Sequence, residues 1–181
     1  LQSLGVKVVA DLPGVGNCLQ DHYQARNVYE CTRPLSVNDE VRSPLHKVAA
    51  ALRWVFFRTG PLAIGAGHVG LFARTRPELE TPDVQFHFIR FSADGPGAKL
   101  HDYSGFTVSV CQLRPESRGS IHIRSADPAE PPAIQPNYLD TQSDRDTMVA
   151  GMQLARKIIE LPAMKSYVHR EVLPGPNVNS D

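Results

Sequence analysis

The spacing of hydrophobic residues along the chain changes period twice. Val6, Val8 and Val9 predict a short strand ending at Asp11, and a Pro/Gly loop follows it in place of a helix start. Ser43 then offers a capping hydroxyl and Pro44 a first-turn proline. Leu45, Val48, Leu52, Val55 and Phe56 recur at helical spacing until Gly60-Pro61 stops the run. From there to about residue 138 the period is mostly two. Val84, Phe86 and Phe88 point one way while Gln85, His87 and Ile89 point the other. Phe106, Val108 and Val110 alternate with Thr107, Ser109 and Cys111, and Ile121 and Ile123 alternate with His122 and Arg124. A second helix is predicted from a Ser143 cap, with Asp146 near its first turn and Met148, Met152, Ala155 and Ile159 as the buried stripe, ending at Pro162. Strands between two helices predict an α+β fold, a large antiparallel β-sheet backed on one face by α-helices.

The densest local chemistry lies at Leu12-Pro13-Gly14-Val15-Gly16, running on into Leu19-Gln20-Asp21-His22. Gly14-Val15-Gly16 begins like a dinucleotide fingerprint. It lacks the third glycine that close helix packing requires, and no acidic residue on a second strand follows, which argues against a complete Rossmann unit. Adjacent residues on a strand face opposite ways, so Asp21 and His22 do not read as a direct acid-base dyad.

This segment resembles the Leu-Pro-Gly-Val-Gly-x-Asn-Leu-Gln-Asp-His stretch of the GMC (glucose-methanol-choline) oxidoreductases. Two later segments match in order and spacing. Leu113-Arg114-Pro115-Glu116-Ser117-Arg118-Gly119-Ser120 resembles the family's Pro-x-Ser-x-Gly turn, and Ile134-Gln135-Pro136-Asn137-Tyr138-Leu139 its Pro-x-Tyr-Leu segment. The resemblance implies an FAD-dependent alcohol oxidoreductase, choline-dehydrogenase-like, in which hydride passes from a CH–OH donor to flavin. It also implies that the chain is a middle piece of a longer polypeptide. Residues 1–22 would close the FAD-binding domain with a strand and a flavin-proximal loop. Residues 23–168 would form the substrate-binding domain, and 169–181 would connect to a C-terminal part. The family's catalytic His with its His or Asn partner would lie outside this chain, so none of the seven histidines is assigned as catalytic. Asn17, Asp21 and His22 would pass close to the flavin; Cys18 stands where the family usually has Asn.

The pocket comes from the same resemblance. In the run from Gly60-Pro61-Leu62 to Gly70-Leu71-Phe72, His68 occupies the family's Glu position. In choline-oxidising members a carboxylate there faces the quaternary ammonium. A histidine cannot supply that anion, which argues against choline, although His68 packed as a plain loop residue remains an equal reading. His87, in a family-like Gln-Phe-His-Phe strand, is expected to hydrogen-bond a substrate hydroxyl or orient a neighbour; the alternative is a strand-face histidine bonded to the sheet. Phe91 shares its face. The Gly-rich connection 92–104, with Pro96 and Tyr103, reads equally as a lid or as a passive surface loop. The substrate-binding set is therefore His68, His87, Phe91 and Tyr103.

Composition narrows the partners. Nineteen Lys+Arg balance nineteen Asp+Glu, and no basic block marks a nucleic-acid or anionic-membrane partner. No apolar run approaches the roughly 18 residues of a membrane span. Cys18, Cys31 and Cys111 are scattered and odd in number, which fits a reducing, cytoplasmic setting and argues against a metal site. The expected partners are a small alcohol and the FAD domain of the same longer chain. A free-standing module that binds a small polar ligand on the same sheet is the alternative.

Overall fold

The computed structural model describes residues 1–65, 67–95 and 97–178. In chain order the elements are β1 (Gln24–Cys31), α1 (Val37–Glu40), α2 (Pro44–Phe57), β2 (Gly67–Ala73), β3 (Val84–Ile89), β4 (Gly105–Gln112), β5 (Ser120–His122), β6 (Ala133–Gln135), α3 (Gln142–Glu160), α4 (Pro162–Lys165) and β7 (Val168–Leu173). Five strands pair antiparallel in the order β2-β3-β4-β1-β7, while β5 and β6 form a separate hairpin. This is the expected α+β architecture.

Strand parity places the core. Val84, Phe86, Val108 and Val110 lie on one face with Tyr29, and α3 covers them with Met148, Ala155 and Ile159. A side-chain pair ties α3 to the edge strand β7. Arg156 grips Glu171 in a two-point fork, Nη2 to Oε1 at 2.7 Å and Nε to Oε2 at 2.9 Å. Burial, reinforced by the neighbouring Glu171 charge, pushes the Tyr29 phenol up.

Four expectations give way. No strand forms over residues 6–9, because a strand needs a ladder partner and none of the described strands runs beside them. The α3 cap is Thr141, whose hydroxyl accepts from the Asp144 N–H at 3.2 Å, and Ser143 lies inside the helix. Ile121 belongs to the small hairpin and not to the main sheet. Finally, β1 and β7 are sheet strands that hydrophobic spacing does not reveal, and the sheet runs past residue 168 to Leu173. Ala66, within the Gly60-to-Phe72 run, and Pro96, within the 92–104 connection, lie outside the described residues.

The α3–sheet contact is tight at Gly151, where an added Cβ would stand 2.8 Å from Val110 Cγ2. Gly151→Val is expected to lower stability by about 1–3 kcal/mol through overpacking, read as a lower thermal midpoint.

Candidate functional site

The three motif segments, distant in sequence, meet in one place. The 12–17 stretch folds through turns, with the Val15 N–H donating to Leu12 O at 3.0 Å and the Asn17 side-chain amide donating to Pro13 O at 2.8 Å. Gly16, at φ 83°, lies so close to the β5 backbone that a Cβ would sit 2.5 Å from Ile121 O, and the Ile121 N–H donates to Gly16 O at 2.8 Å. Leu19 and Gly119 exchange backbone hydrogen bonds at 3.0 and 2.8 Å, and the Gln20 side chain donates to Pro115 O at 3.0 Å. The Tyr138 hydroxyl donates to Asp21, whose other oxygen accepts the His22 N–H at 2.9 Å. That bond to Asp21 raises the Tyr138 pKa. Tyr23 packs on Tyr138 with ring centres 5.3 Å apart. A shallow cleft opens between Asp21, Tyr23, Pro115, Pro136, Tyr138 and Met148.

A buried carboxylate holds the 115–119 turn in position. Asp144, in the first turn of α3, accepts from the backbone N–H of Glu116 at 2.9 Å and of Ser117 at 2.8 Å, and from the Ser117 hydroxyl at 2.5 Å. The same Ser117 oxygen accepts from the Asp140 and Thr141 N–H groups at 3.0 and 3.3 Å. Burial alone would raise the Asp144 pKa, but the hydrogen bonds from Ser117 and Glu116 outweigh it and lower it from 3.8 to about 2.

The sheet face turned away from α3 carries the second group of residues. Cross-strand pairing aligns Gly70, His87, Ser109 and Arg26 in one row, and Phe72, Gln85, Cys111 and Gln24 in the next. The Ser109 hydroxyl bridges the rows by donating to the Gln24 side-chain oxygen at 3.0 Å. His87 Nδ1 is buried and has no hydrogen-bond partner among the described residues. Glycines stand on its β2 side, with Gly70 directly opposite and a Cβ on Gly67 reaching only to 3.9 Å from the His87 ring.

Of the sequence-predicted substrate residues, the fold brings His68 and His87 together on β2 and β3. Phe91 lies just beyond β3, its carbonyl accepting from the Thr107 hydroxyl at 2.9 Å. Tyr103 lies elsewhere. It stacks on His101 with ring centres 4.8 Å apart, beside Gly105, which is four residues or about 13 Å along β4 from Ser109. The base of the 92–104 connection is pinned, since the Asn38 amide donates to Ser92 O and His101 O, each at 3.0 Å, and Asn38 Oδ1 accepts the Ser92 N–H at 3.1 Å. Of the cofactor set, Asn17 and Asp21 use their side chains to shape the loop, and His22 is exposed. Sequence reasoning missed Asp144, Asn38, Gln24 and Arg26. Ser109 was legible as sharing the strand parity of His87, because β3 and β4 pair in register.

Known proteins share this arrangement. Residues 115–181 match the family model described as GMC oxidoreductase. Over all 181 residues the chain is 36% identical to the oxygen-dependent choline dehydrogenase of Pseudomonas fluorescens and 34% identical to an alcohol dehydrogenase [acceptor] of Pseudomonas putida. It spans 32% and 33% of their lengths, about a third of these curated relatives. The fold superposes on formate oxidase of Aspergillus oryzae with a TM-score of 0.82 at 21% identity, covering 99% of this chain and 36% of that one. For pyridoxine 4-oxidase of Mesorbium loti the TM-score is 0.73 at 21% identity, with 97% and 31% covered. The chain belongs to the GMC oxidoreductase family.

Asp144→Ala is expected to cost on the order of 3 kcal/mol, because two buried N–H groups and a hydroxyl lose their acceptor. The carboxylate's pKa is depressed on folding, so its stabilisation is complete above about pH 4 and is lost as pH falls toward 2. Acid titration of wild type against Asp144→Ala, followed by circular dichroism, should show the stability gap closing over that interval.

Proposed function

We propose that this chain is the substrate-binding domain of an FAD-dependent oxidoreductase acting on alcohols, and that it is inactive on its own. The observation that carries the reading is the buried, unpaired Nδ1 of His87 in a polar row flanked by glycines. Such a nitrogen awaits a hydrogen-bonding partner, and a substrate hydroxyl supplies one.

The residues present fit the ring side of a flavin and not its diphosphate. Gly14-Val15-Gly16 leads into turns, so the loop offers no helix N-terminus to a diphosphate. Asn17 and Asp21 would set the shape of the flavin-facing loop, and His22 would present its exposed imidazole. When bound, FAD supplies the hydride acceptor. This chain's share is to orient the donor: His87 positions the hydroxyl, His68 and Phe91 border the cavity, and Tyr103 contributes from the 92–104 connection. The hydroxyl proton leaves to a base beyond this chain.

In this reading residues 1–22 complete the FAD domain, 23–168 bind substrate and 169–181 lead to the C-terminal part. Exposed Leu12, Val15, Ile121 and Ile134 cluster on the loop and the small hairpin, and would face the FAD domain of the longer polypeptide. The three unpaired thiols agree with a cytoplasmic setting.

Expressed within the longer polypeptide, His87→Ala should lower kcat/KM for the alcohol about 100-fold, within the range for a lost positioning or proton-transfer group, while flavin content by absorbance stays unchanged. Unaltered kinetics with normal flavin would refute the assignment. At the neighbouring position, His68→Glu should lower KM for a cationic alcohol about tenfold and leave a neutral alcohol of the same size unaffected, as steady-state kinetics on the pair would reveal.

A further inference from the structure

Helix α2 touches the rest of the chain on one side only. Of its fourteen residues Ala50 alone is buried, at 8% exposure. With 3.6 residues per turn, about 100° each, Ala50 lies opposite the stripe Leu45, Val48, Leu52, Val55 and Phe56. That stripe therefore faces away from the body, and its members are between 51% and 82% exposed. Leu62 and Ile64 in the following turn, which packs against α2, extend the apolar surface. A helix of this length is marginal in water without tertiary cover.

Charge indicates what the cover is. From Pro44 to Gly60 the chain carries Lys47, Arg53 and Arg58 and no Asp or Glu. Lys47 and Arg53 border the stripe on opposite flanks, and the Arg58 guanidinium sits 4.3 Å from the centre of the Trp54 ring. The chain-wide balance of 19 against 19 hides this local excess. A second copy docked stripe to stripe would juxtapose these cations with no acidic partner in the segment. An anionic bilayer surface matches both the apolar stripe and the cationic flanks, with Trp and Phe at the boundary. The helix is too short to cross a membrane.

We propose that α2 is an interfacial helix that seats the protein on an anionic lipid surface, its apolar stripe in the headgroup–acyl boundary. The inference is independent of the alcohol-oxidising reading.

Trp54 is the single tryptophan of the chain, so its emission reports on α2 directly. With phosphatidylcholine vesicles containing phosphatidylglycerol, the emission should shift to the blue and the chain should co-float. Pure phosphatidylcholine, or added salt, should weaken binding at least tenfold. The double substitution Leu52→Asp/Phe56→Asp should abolish flotation with the circular dichroism unchanged, and Lys47→Gln/Arg53→Gln should weaken it at least threefold. Absence of any shift or flotation with phosphatidylglycerol vesicles overturns the proposal. So does a blue shift that grows with protein concentration in lipid-free buffer, which would assign the face to a second copy. Flotation of the longer polypeptide that ignores the double substitution also overturns it, because the rest of that chain would then cover α2.

Discussion

The buried Asp144 carboxylate is the constraint on which the motif-bearing half of the structure depends. It accepts three hydrogen bonds from the Glu116-Ser117 turn at the start of α3, so the helix that seals the sheet also fixes the turn. That turn carries Gly119, and Gly119 anchors Leu19 through a reciprocal pair of backbone bonds. A single ionised group thus couples core packing to the placement of the loop nearest the functional surface. Carboxylates are costly to bury unless fully hydrogen-bonded, and this one is satisfied by donors that have no other buried acceptor.

The sheet divides its work by face. One face is apolar and covered by α3, which provides rigidity: Val84, Phe86, Val108 and Val110 are fully buried. The opposite face presents His87, Ser109, Gln24 and Arg26, set by the same registers. Because side chains alternate along a strand, packing on the first face fixes the positions of polar groups on the second to within strand geometry. A site built on central strands in this way is held more firmly than one on a loop. The glycines on β2 leave space beside His87 where any larger residue would intrude.

Much of this was legible from the residues. Helical spacing placed α2 and the buried stripe of α3, and period two gave the parity of β3 and β4, including the side on which His87 stands. Strand β1 was not legible: Gln-Ala-Arg-Asn-Val-Tyr-Glu-Cys has no clean alternation, yet it lies between β4 and β7 and buries Asn27, Val28 and Tyr29. Its burial comes from neighbours on both sides, which hydrophobic spacing does not encode. The valines at residues 6–9 show the converse, apolar alternation without a partner strand and hence without a ladder.

The sequence by itself determined which segments have helical or strand period, and the turn chemistry at Gly14-Val15-Gly16 and Pro115-Glu116-Ser117. These are properties of a few consecutive residues and their rotamers. Tertiary structure alone decided that Asp21 meets Tyr138, that Ser117 meets Asp144, that Tyr103 stands apart from His87, and that the apolar stripe of α2 faces outward. Those contacts join groups up to 117 residues apart, and only the register of the sheet and the packing of α3 bring them within hydrogen-bond reach.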